Sequence, residues 1–398
     1  MGAREMKIVV APNAFKGSLT ASRAGALIAE GFTDAMRGAR VEVVPTADGG
    51  DGTLEVISSC VPCREVSVEV RDPLGRRVKA SYLILRDEPT AVVEMARASG
   101  LALLRDEERD PMRASAYGTG ELIRDALVRG CRRVIVGVGG SATNDGGMGI
   151  ACAAGYRFLD RRGKELPPCG RSLGRVARVG RGGVMKQVHT AKFVVATDVK
   201  APLCGARGAA RMYARQKGAA PREVQLLDSG LKRLAEVVKR DLGKDLSRVP
   251  GAGAAGGAGF GMMAFFNARA VSGVGLVMKI TGLEEKIRSA DLVATGEGFL
   301  DEQSLEGKAT MGVARLARRH GVPVIAFCGG IGGDERKLYR RGFTAAAPVV
   351  DRPMSLTEAL ENADDLLYRA AYRAGRLIAR CGAAAVGTRR TAAGSKSV

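Results

Sequence analysis

Short apolar runs alternate with segments of helical spacing at both ends of the chain. Residues 7–11 (KIVVA) predict a buried strand that opens into a loop, and ASRAGALIAEGFTDAM after it has the apolar spacing of a helix. The same alternation of apolar runs and helical spacing continues through the last hundred or so residues. There we predict strands at DLVATGEG, GVPVIAFCGG and FTAAAPVV, with helices between and after them. Such alternation is typical of a parallel α/β sheet.

The middle of the chain has a different pattern of apolar and polar positions. From about residue 64, REVSVEVRD, RRVKASYLIL and TAVVEM are short alternating segments, and DPLG between the first two is a turn signal. This pattern predicts antiparallel strands. Alternation of helix and strand then returns with GTGELIRDALVRG, RRVIV, KFVVATD and the long amphipathic segment PREVQLLDSGLKRLAEVVKRDLG.

The fold class that we predict is α/β, with two domains. A chain of 398 residues exceeds what one hydrophobic core usually supports, so we expect two domains with a ligand cleft between them. From these patterns we assign residues 1–62 and 283–382 to one parallel-sheet domain, built from both chain ends. We assign residues 63–282 to a second α/β domain inserted into it. Residues 383–398 are small, polar and basic, which predicts a disordered tail.

The composition excludes several classes of protein. Apolar residues make up 46% and charged residues 26%, no window approaches eighteen uninterrupted apolar residues, and the start of the chain lacks a secretory signal. We therefore expect a cytoplasmic protein with no membrane partner. Eight scattered cysteines form only one CxxC pair, Cys60 and Cys63, and the chain has only two histidines, which argues against disulfide scaffolds, structural zinc and histidine triads.

The net charge of +20 leaves two interpretations open. It would suit nucleic acid, or an anionic small substrate. Basic residues are spread along the chain in pairs, aromatic residues are only 4% and tryptophan is absent. Because single-stranded nucleic acids are bound through basic clusters with interleaved aromatic side chains, the sequence favours the small substrate over nucleic acid. It does not predict an oligomeric state.

Three familiar short motifs are incomplete. Gly251, Gly253 and Gly256 have the spacing of a dinucleotide fingerprint, but no strand precedes them, so we interpret PGAGAAGG as a glycine-rich helix start that contacts a ligand or packs closely. Lys308 is followed by alanine, which removes the Walker A loop. Thr143 stands where a nucleophile elbow requires glycine.

Six predicted strand-exit loops are all rich in glycine, hydroxyl and carboxylate groups. They are NAFKGS, ADGGDGT, GGSATNDGG, ATDV, ARQKGA and TGEGFLDEQSLEGK. Phosphoryl transfer requires backbone N–H groups and lysines for phosphate oxygens, carboxylates for Mg²⁺, and a carboxylate near the accepting hydroxyl. A single loop of this kind is ordinary turn chemistry. Six together favour a phosphotransferase.

These loops lie within nine colinear blocks that resemble the bacterial glycerate kinase family, the ATP-dependent glycerate 2-kinases. The resemblance runs from about residue 6 to 380 and includes MKIVVAPNAFKGSLTA, VPTADGGDGT, VIVGVGGSATNDGGMGI and DLVATGEGFLDEQSLEGK. It implies a flavodoxin-like α/β domain interrupted by a second α/β domain. It also implies transfer of the γ-phosphoryl group of ATP, with Mg²⁺, to D-glycerate. The 3-hydroxyl of glycerate, another small hydroxy acid, or a non-enzymatic nucleic-acid-binding role remain the alternatives.

With this resemblance, candidate roles can be assigned residue by residue. Asp198 ends an apolar strand, where its position would be rigid, and is the predicted base for the glycerate hydroxyl, with Asp48 as the second choice. The candidate ligands of phosphate or substrate are Lys16, Ser18, Ser141, Thr143, Asn144, Asp145 and Lys217. The candidate Mg²⁺ ligands are Glu297 and Asp301.

Three positions depart from the family pattern. Phe299 stands where an arginine is common, Arg215 where a proline is common, and Ala201 where an asparagine is common. Loss of an arginine near Asp301 removes one possible phosphate donor, so substrate preference follows less directly from the resemblance than the reaction class does.

Overall fold

The computed structural model describes the backbone of residues 5–86, 89–301 and 309–393, and side chains in these ranges up to residue 380. The chain divides into two compact units. Unit 1 comprises Met1–Ala47 and Met278–Val398, and unit 2 comprises Asp48–Val277. Each unit has a hydrophobic core of its own.

The strands are β1 Lys7–Val10, β2 Arg40–Val43, β3 Cys63–Arg71, β4 Arg77–Leu85, β5 Thr90–Glu94, β6 Arg133–Gly137, β7 Arg157–Leu159, β8 Arg178–Gly180, β9 Lys192–Ala196, β10 Arg269–Val271, β11 Leu292–Leu300, β12 Val324–Ile331 and β13 Ala345–Pro348.

The α-helices are α1 Ala21–Ala35, α2 Thr53–Cys60, α3 Ala96–Ser99, α4 Tyr117–Val128, α5 Met148–Ala153, α6 Lys186–Thr190, α7 Ala209–Tyr213, α8 Pro221–Leu242, α9 Ala254–Phe266, α10 Gly273–Ile280, α11 Leu283–Arg288, α12 Ala309–Arg319, α13 Arg336–Arg341, α14 Leu356–Glu361 and α15 Ala363–Ala393. Short 3₁₀ helices lie at Leu101–Leu103, Asp106–Glu108, Gly170–Arg175 and Arg215–Lys217.

Unit 1 is built on a five-stranded sheet in the order β2-β1-β11-β12-β13, with every neighbouring pair parallel. Counted along the chain this is the order 2-1-3-4-5 of doubly wound flavodoxin-like sheets. The two strands from the start of the chain therefore pair directly with those from its end. The predicted α/β class with parallel strands is confirmed.

Unit 2 contains a six-stranded mixed sheet in the order β10-β9-β6-β5-β4-β3. Strands β10, β9, β6 and β5 are parallel, while β5, β4 and β3 form an antiparallel meander. The predicted antiparallel segment is therefore correct, and its third strand also joins the parallel part. A separate antiparallel pair consists of β7 and β8.

The DPLG segment forms the predicted turn between β3 and β4. The Asp72 carboxylate accepts hydrogen bonds from the backbone N–H groups of Leu74 and Arg76, both at 2.8 Å. Gly75 has a φ of +91°, in the left-handed region where glycine is favoured. This turn sets the hairpin register, with Val70 opposite Val78.

The first boundary between the units lies at residues 47/48, whereas the sequence pattern placed it at 62/63. Helix α2 accounts for the difference, because the buried Glu94 carboxylate at the end of β5 accepts hydrogen bonds from the backbone N–H groups of Gly52 (3.3 Å) and Leu54 (3.0 Å). These bonds attach the start of α2 to the sheet of unit 2. The second boundary, at 277/278, lies five residues before the predicted one.

Helix α15 continues to Ala393, so residues 383–393 are helical where the composition predicted a disordered tail. Residues 394–398 of that tail lie outside the described residues. Within the described part of the chain, no helix combines the length and the apolar character needed to cross a membrane.

Candidate functional site

The carboxyl ends of the parallel strands in unit 2 carry five of the eleven predicted site residues, namely Asp198, Ser141, Thr143, Asn144 and Asp145. Asp198 follows β9, the loop 137–149 leaves β6, and Ser272 follows β10. These three strands are neighbours in the order β10-β9-β6. Since parallel strands end at one edge of a sheet, their exit loops lie side by side, which is where ligands bind in open α/β sheets.

Asp198 is held by two hydrogen bonds. Its Oδ1 accepts from the Ser272 hydroxyl at 2.6 Å, and its Oδ2 accepts from the backbone N–H of Val274 at 3.0 Å, in the first turn of α10. Burial and then the like charge of Asp48 raise the pKa of Asp198, although the two hydrogen bonds oppose the rise. The structure therefore brings together the two carboxylates that the sequence singled out as candidate bases.

Glycines allow the loop after Asp48 to lie directly on these strand exits. A Cβ at Gly273 would come 2.1 Å from the backbone oxygen of Asp48, and one at Gly139 would come 2.4 Å from the Cα of Gly50. No side chain fits at such distances. Gly139, in the loop after β6, and Gly273, after β10, are thus required by backbone packing within this edge of the sheet.

Asp145 is fully buried, and its carboxylate accepts three backbone N–H bonds. Oδ2 accepts from Ala116 (2.8 Å) and Gly149 (3.1 Å), and Oδ1 accepts from Gly147 (3.0 Å). These donors lie at the starts of α4 and α5, so one carboxylate joins two helix N-termini. Burial raises the pKa of Asp145, and the hydrogen bonds oppose it. These contacts give the carboxylate a structural role within the loop, and its assignment as a ligand of phosphate or substrate stays a prediction.

Lys217 is buried beneath the same loop, with 3% of its surface exposed. Its ammonium group donates to the Ser141 hydroxyl at 2.9 Å and to the backbone oxygen of Thr143 at 2.7 Å. Burial lowers the pKa of Lys217 to about 7, and the Asp145 charge opposes this. Lys217 thus places a titratable cation behind the 137–149 loop.

Stability should depend on pH through Lys217. Because its folded-state pKa lies below the usual 10.5, the unfolded state binds more protons between about pH 7 and pH 10.5, so the free energy of unfolding should rise with pH over that range. Urea unfolding at a series of pH values should show a smaller rise for Lys217→Met. The control Lys232→Met, at an exposed position of α8, should keep the full rise. Equal slopes for native protein and Lys217→Met would contradict the assignment.

Two polar side chains of the loop have no hydrogen-bond partner within the described structure. The Thr143 hydroxyl and both amide atoms of Asn144 are buried and unpaired. Leaving a buried donor or acceptor unpaired costs about 1–3 kcal/mol. Such groups are expected where a ligand supplies the missing partners, so Thr143 and Asn144 remain the strongest ligand candidates in the loop.

The glycine-rich PGAGAAGG segment packs against this loop. Ala255, Gly256 and Gly257 form a left-handed turn at the start of α9, with φ of 54°, 65° and 91°. A Cβ at Gly256 would lie 2.1 Å from the backbone oxygen of Thr143, and Gly256 accepts a backbone hydrogen bond from Gly146 at 3.1 Å. Close packing therefore explains why glycine is required at position 256. The left-handed backbone of Ala255 adds local strain beside Thr143 and Asn144.

The remaining predicted residues belong to unit 1. Lys16 and Ser18 are exposed in the loop after β1, where the Ser18 hydroxyl donates to the backbone oxygen of Phe15 at 3.2 Å. Glu297 is buried within β11, opposite Cys328 of β12, and Asp301 follows that strand. Burial and the Glu297 charge raise the pKa of the Cys328 thiol to about 12.

The predicted Mg²⁺ ligands are compatible with a metal held jointly with phosphate. Mg²⁺ prefers oxygen and usually takes one or two protein carboxylates, with phosphate and water oxygens completing its shell. Glu297 and Asp301 supply two carboxylates, and among the described residues no cluster of three or more acidic, histidine or cysteine side chains forms an all-protein site. Their assignment to Mg²⁺ stays a prediction, and the acidic residues Glu302 and Glu306 after them lie outside the described residues.

Sequence reasoning missed Ser272 and Glu94. Ser272 bonds to Asp198 from 74 positions away, and Glu94 holds the start of α2. A serine before the helical spacing of residues 273–280 is a helix-start signal and could have drawn attention to Ser272. Glu94 lies within a continuous apolar strand, and no local signal marks its partners.

Comparison with known proteins places the chain in a family. The sequence profile of the glycerate kinase family matches residues 8–379. The chain belongs to the glycerate kinase family. It is 43% identical to the glycerate kinase of Halalkalibacterium halodurans and 42% identical to the glycerate 2-kinase of Escherichia coli, each over 92% of this chain and 96% of the relative.

A solved structure shows the same fold. The crystal structure of a Salmonella typhimurium LT2 protein provisionally named glycerate kinase 2 superposes with a TM-score of 0.83 at 38% identity. It covers 95% of this chain and 99% of that one. The family's pattern therefore extends over both units of the chain.

Proposed function

We propose that this chain transfers the γ-phosphoryl group of ATP to the 2-hydroxyl of D-glycerate, giving 2-phosphoglycerate. Membership of the glycerate kinase family supports glycerate as substrate, and the Escherichia coli relative named glycerate 2-kinase supports the 2-hydroxyl. The observation that carries the proposal is the Asp198–Asp48 carboxylate pair, which lies at the sheet edge that also carries the unpaired Thr143 and Asn144 side chains.

In this proposal the loop after β6 binds the three-carbon acid. The Asn144 amide and the Thr143 hydroxyl donate to substrate oxygens, which supplies the partners that these buried groups lack. Lys217 supplies positive charge behind the loop. A bound anion stabilises the protonated lysine and so raises its pKa from about 7.

Asp198 acts as the base. The glycerate hydroxyl oxygen attacks the γ-phosphorus, the bond from that phosphorus to the β-phosphate oxygen breaks, and the hydroxyl proton moves to the Asp198 carboxylate. Ser272 and the N–H of Val274 orient the carboxylate through their hydrogen bonds, and Asp48 keeps the Asp198 pKa raised through its like charge. A raised pKa makes the carboxylate a better proton acceptor.

For ATP, we propose the residues of unit 1. Lys16 and Ser18 contribute an ammonium and a hydroxyl to the phosphates, and Glu297 and Asp301 hold Mg²⁺. When bound, this ion neutralises phosphate oxygens and orients the γ-phosphoryl group. Phe299, where an arginine is common in the family pattern, has 52% of its surface exposed and cannot supply a cationic donor.

Phosphorus NMR of the product tests the proposal. With ATP, MgCl₂ and D-glycerate, proton-coupled spectra should show a new phosphomonoester doublet, since carbon 2 bears a single proton. A triplet would indicate the ester on carbon 3, which bears two protons, and would contradict the 2-hydroxyl assignment. Parallel incubations with L-glycerate and glycolate test the substrate, and the absence of any new ester with D-glycerate would overturn the proposed function.

A further inference from the structure

A concave site lies at the opposite edge of the unit 2 sheet from Asp198. It is a cavity of about 1160 Å³, and its lining includes Thr90, Arg133, Lys192 and Arg269. These residues begin β5, β6, β9 and β10 respectively. The cavity is therefore at the amino ends of the four parallel strands, whereas Asp198 and the 137–149 loop are at their carboxyl ends.

The described lining of this cavity is strongly basic. Six of its side chains are cationic: Arg132, Arg133, Arg181, Lys192, Lys244 and Arg269. None of its described lining residues is acidic. Asp87 and Glu88, which precede the lining residue Pro89, lie outside the described residues.

Four of these six cations have no acidic partner among the described residues. Within the described parts of the chain, Arg132, Arg181, Lys192 and Arg269 form no ion pair, and the ammonium of Lys244 donates to the backbone oxygen of Ala264 at 2.6 Å. Like charges gathered around a concavity repel one another and attract anions into it. The described lining of this cavity thus has the charge expected of an anion-binding site.

The floor of the cavity is apolar and tightly packed. Tyr156, Phe193, Phe265 and Phe266 line it, and each has 6% or less of its surface exposed. The ring centroids of Phe193 and Phe266 are 5.1 Å apart, and those of Tyr156 and Phe265 are 5.2 Å apart. An apolar floor with a few convergent polar groups is the usual composition of a small-molecule site.

We propose that this cavity binds a small phosphorylated organic anion at a site separate from the one assigned to glycerate and ATP. Arginine side chains pair with phosphate oxygens in a fork geometry, which fits Arg132, Arg181 and Arg269. The volume exceeds that of a single phosphate ion, so the organic part of the ligand fills the space against the aromatic floor.

Affinity labelling with pyridoxal 5′-phosphate tests the site directly, because this probe is itself a small phosphorylated ring. Its aldehyde condenses with a lysine amine and releases water, and borohydride then reduces the imine to a stable secondary amine. Peptide mass spectrometry should find Lys192 or Lys244 labelled several-fold faster than the exposed Lys232. Labels at Lys16 or Lys217 appear on other peptides and report the catalytic site separately.

The double variant Arg181→Gln/Arg269→Gln keeps both lysines and removes two phosphate donors. Labelling of Lys192 and Lys244 should fall about tenfold or more, as expected for loss of charge-assisted hydrogen bonds. The control Arg161→Gln/Arg222→Gln removes the same charge from exposed positions outside the lining and should label like the native chain. Excess adenosine monophosphate should protect the lysines.

Three outcomes would overturn the proposal. They are labelling of Lys192 and Lys244 no faster than that of Lys232, equal labelling in the two double variants, and protection by a single-stranded oligonucleotide but not by adenosine monophosphate. The labelling experiment measures binding in this cavity and does not depend on glycerate phosphorylation. Failure of this inference is therefore distinguishable from failure of the proposed kinase activity.

Discussion

Replacing Asp198 by asparagine should lower kcat for glycerate phosphorylation by about 100-fold or more, since general-base catalysis typically contributes at least that factor. The amide oxygen can still accept from Val274, and the Ser272 hydroxyl can bond to either amide atom, so the geometry of the site is retained. Because burial and Asp48 disfavour the charged carboxylate, the neutral variant should be at least as stable as the native protein. Steady-state kinetics and thermal unfolding measure the two effects.

Asp48→Asn separates the two candidate bases. If Asp198 is the base, Asp48→Asn removes a like charge, lowers the Asp198 pKa, and moves the acidic limb of the kcat/KM profile to lower pH. Asp245→Asn, an exposed carboxylate paired with Lys239, is the matched control and should leave the profile unchanged. A loss below about tenfold in Asp198→Asn, together with a larger loss in Asp48→Asn, would transfer the base role to Asp48.

Replacing Asp145 by alanine should produce the largest loss of stability, about 3 kcal/mol or more in the free energy of unfolding. Three backbone N–H groups at the starts of α4 and α5 would lose their acceptor in a fully buried position. Lys217 would also lose a nearby negative charge that stabilises its protonated form against the effect of burial. Urea unfolding followed by circular dichroism measures the change.

Two further variants sharpen this test. Asp145→Asn should also destabilise, because either orientation of the amide points its NH₂ group at a backbone N–H. Asp160→Ala is the control, since that carboxylate accepts from the N–H groups of Arg162 and Lys164 near the surface, where we expect a loss of about 1 kcal/mol or less. If Asp145→Ala and Asp160→Ala lose the same stability, the structural role assigned to Asp145 is wrong.

Residue type and position along the chain pointed to Asp198 as the candidate base, because a carboxylate shortly after an apolar strand is a local signal. The same reasoning grouped Asp145 with its neighbours as a ligand of an anion. The structure adds a structural role, since the three N–H groups that donate to Asp145 lie at two helix starts, and one of them, that of Ala116, is 29 positions earlier. An aspartate before two glycines and a helix is also a capping signal, but only burial distinguishes capping from binding.

The distribution of charge was also predicted only in part from the sequence. The net charge of +20 was evident from the sequence, and its even spread along the chain argued against a nucleic-acid site. That Arg132, Lys192 and Arg269 share one cavity follows from the pairing of strands β6, β9 and β10, which brings together positions up to 137 residues apart. Linear spacing carries no information about that pairing.

The sequence by itself determined the α/β class, the parallel texture of both chain ends, the antiparallel middle and the glycine-rich strand exits, because strand period, helix period and turn chemistry are local properties. Only the tertiary structure decided which polar groups are buried, which of them are paired, and how Asp198 and Lys217 titrate. Those properties depend on distances between residues far apart in the chain, and a displacement of a few ångströms changes both the hydrogen bond and the desolvation that set them.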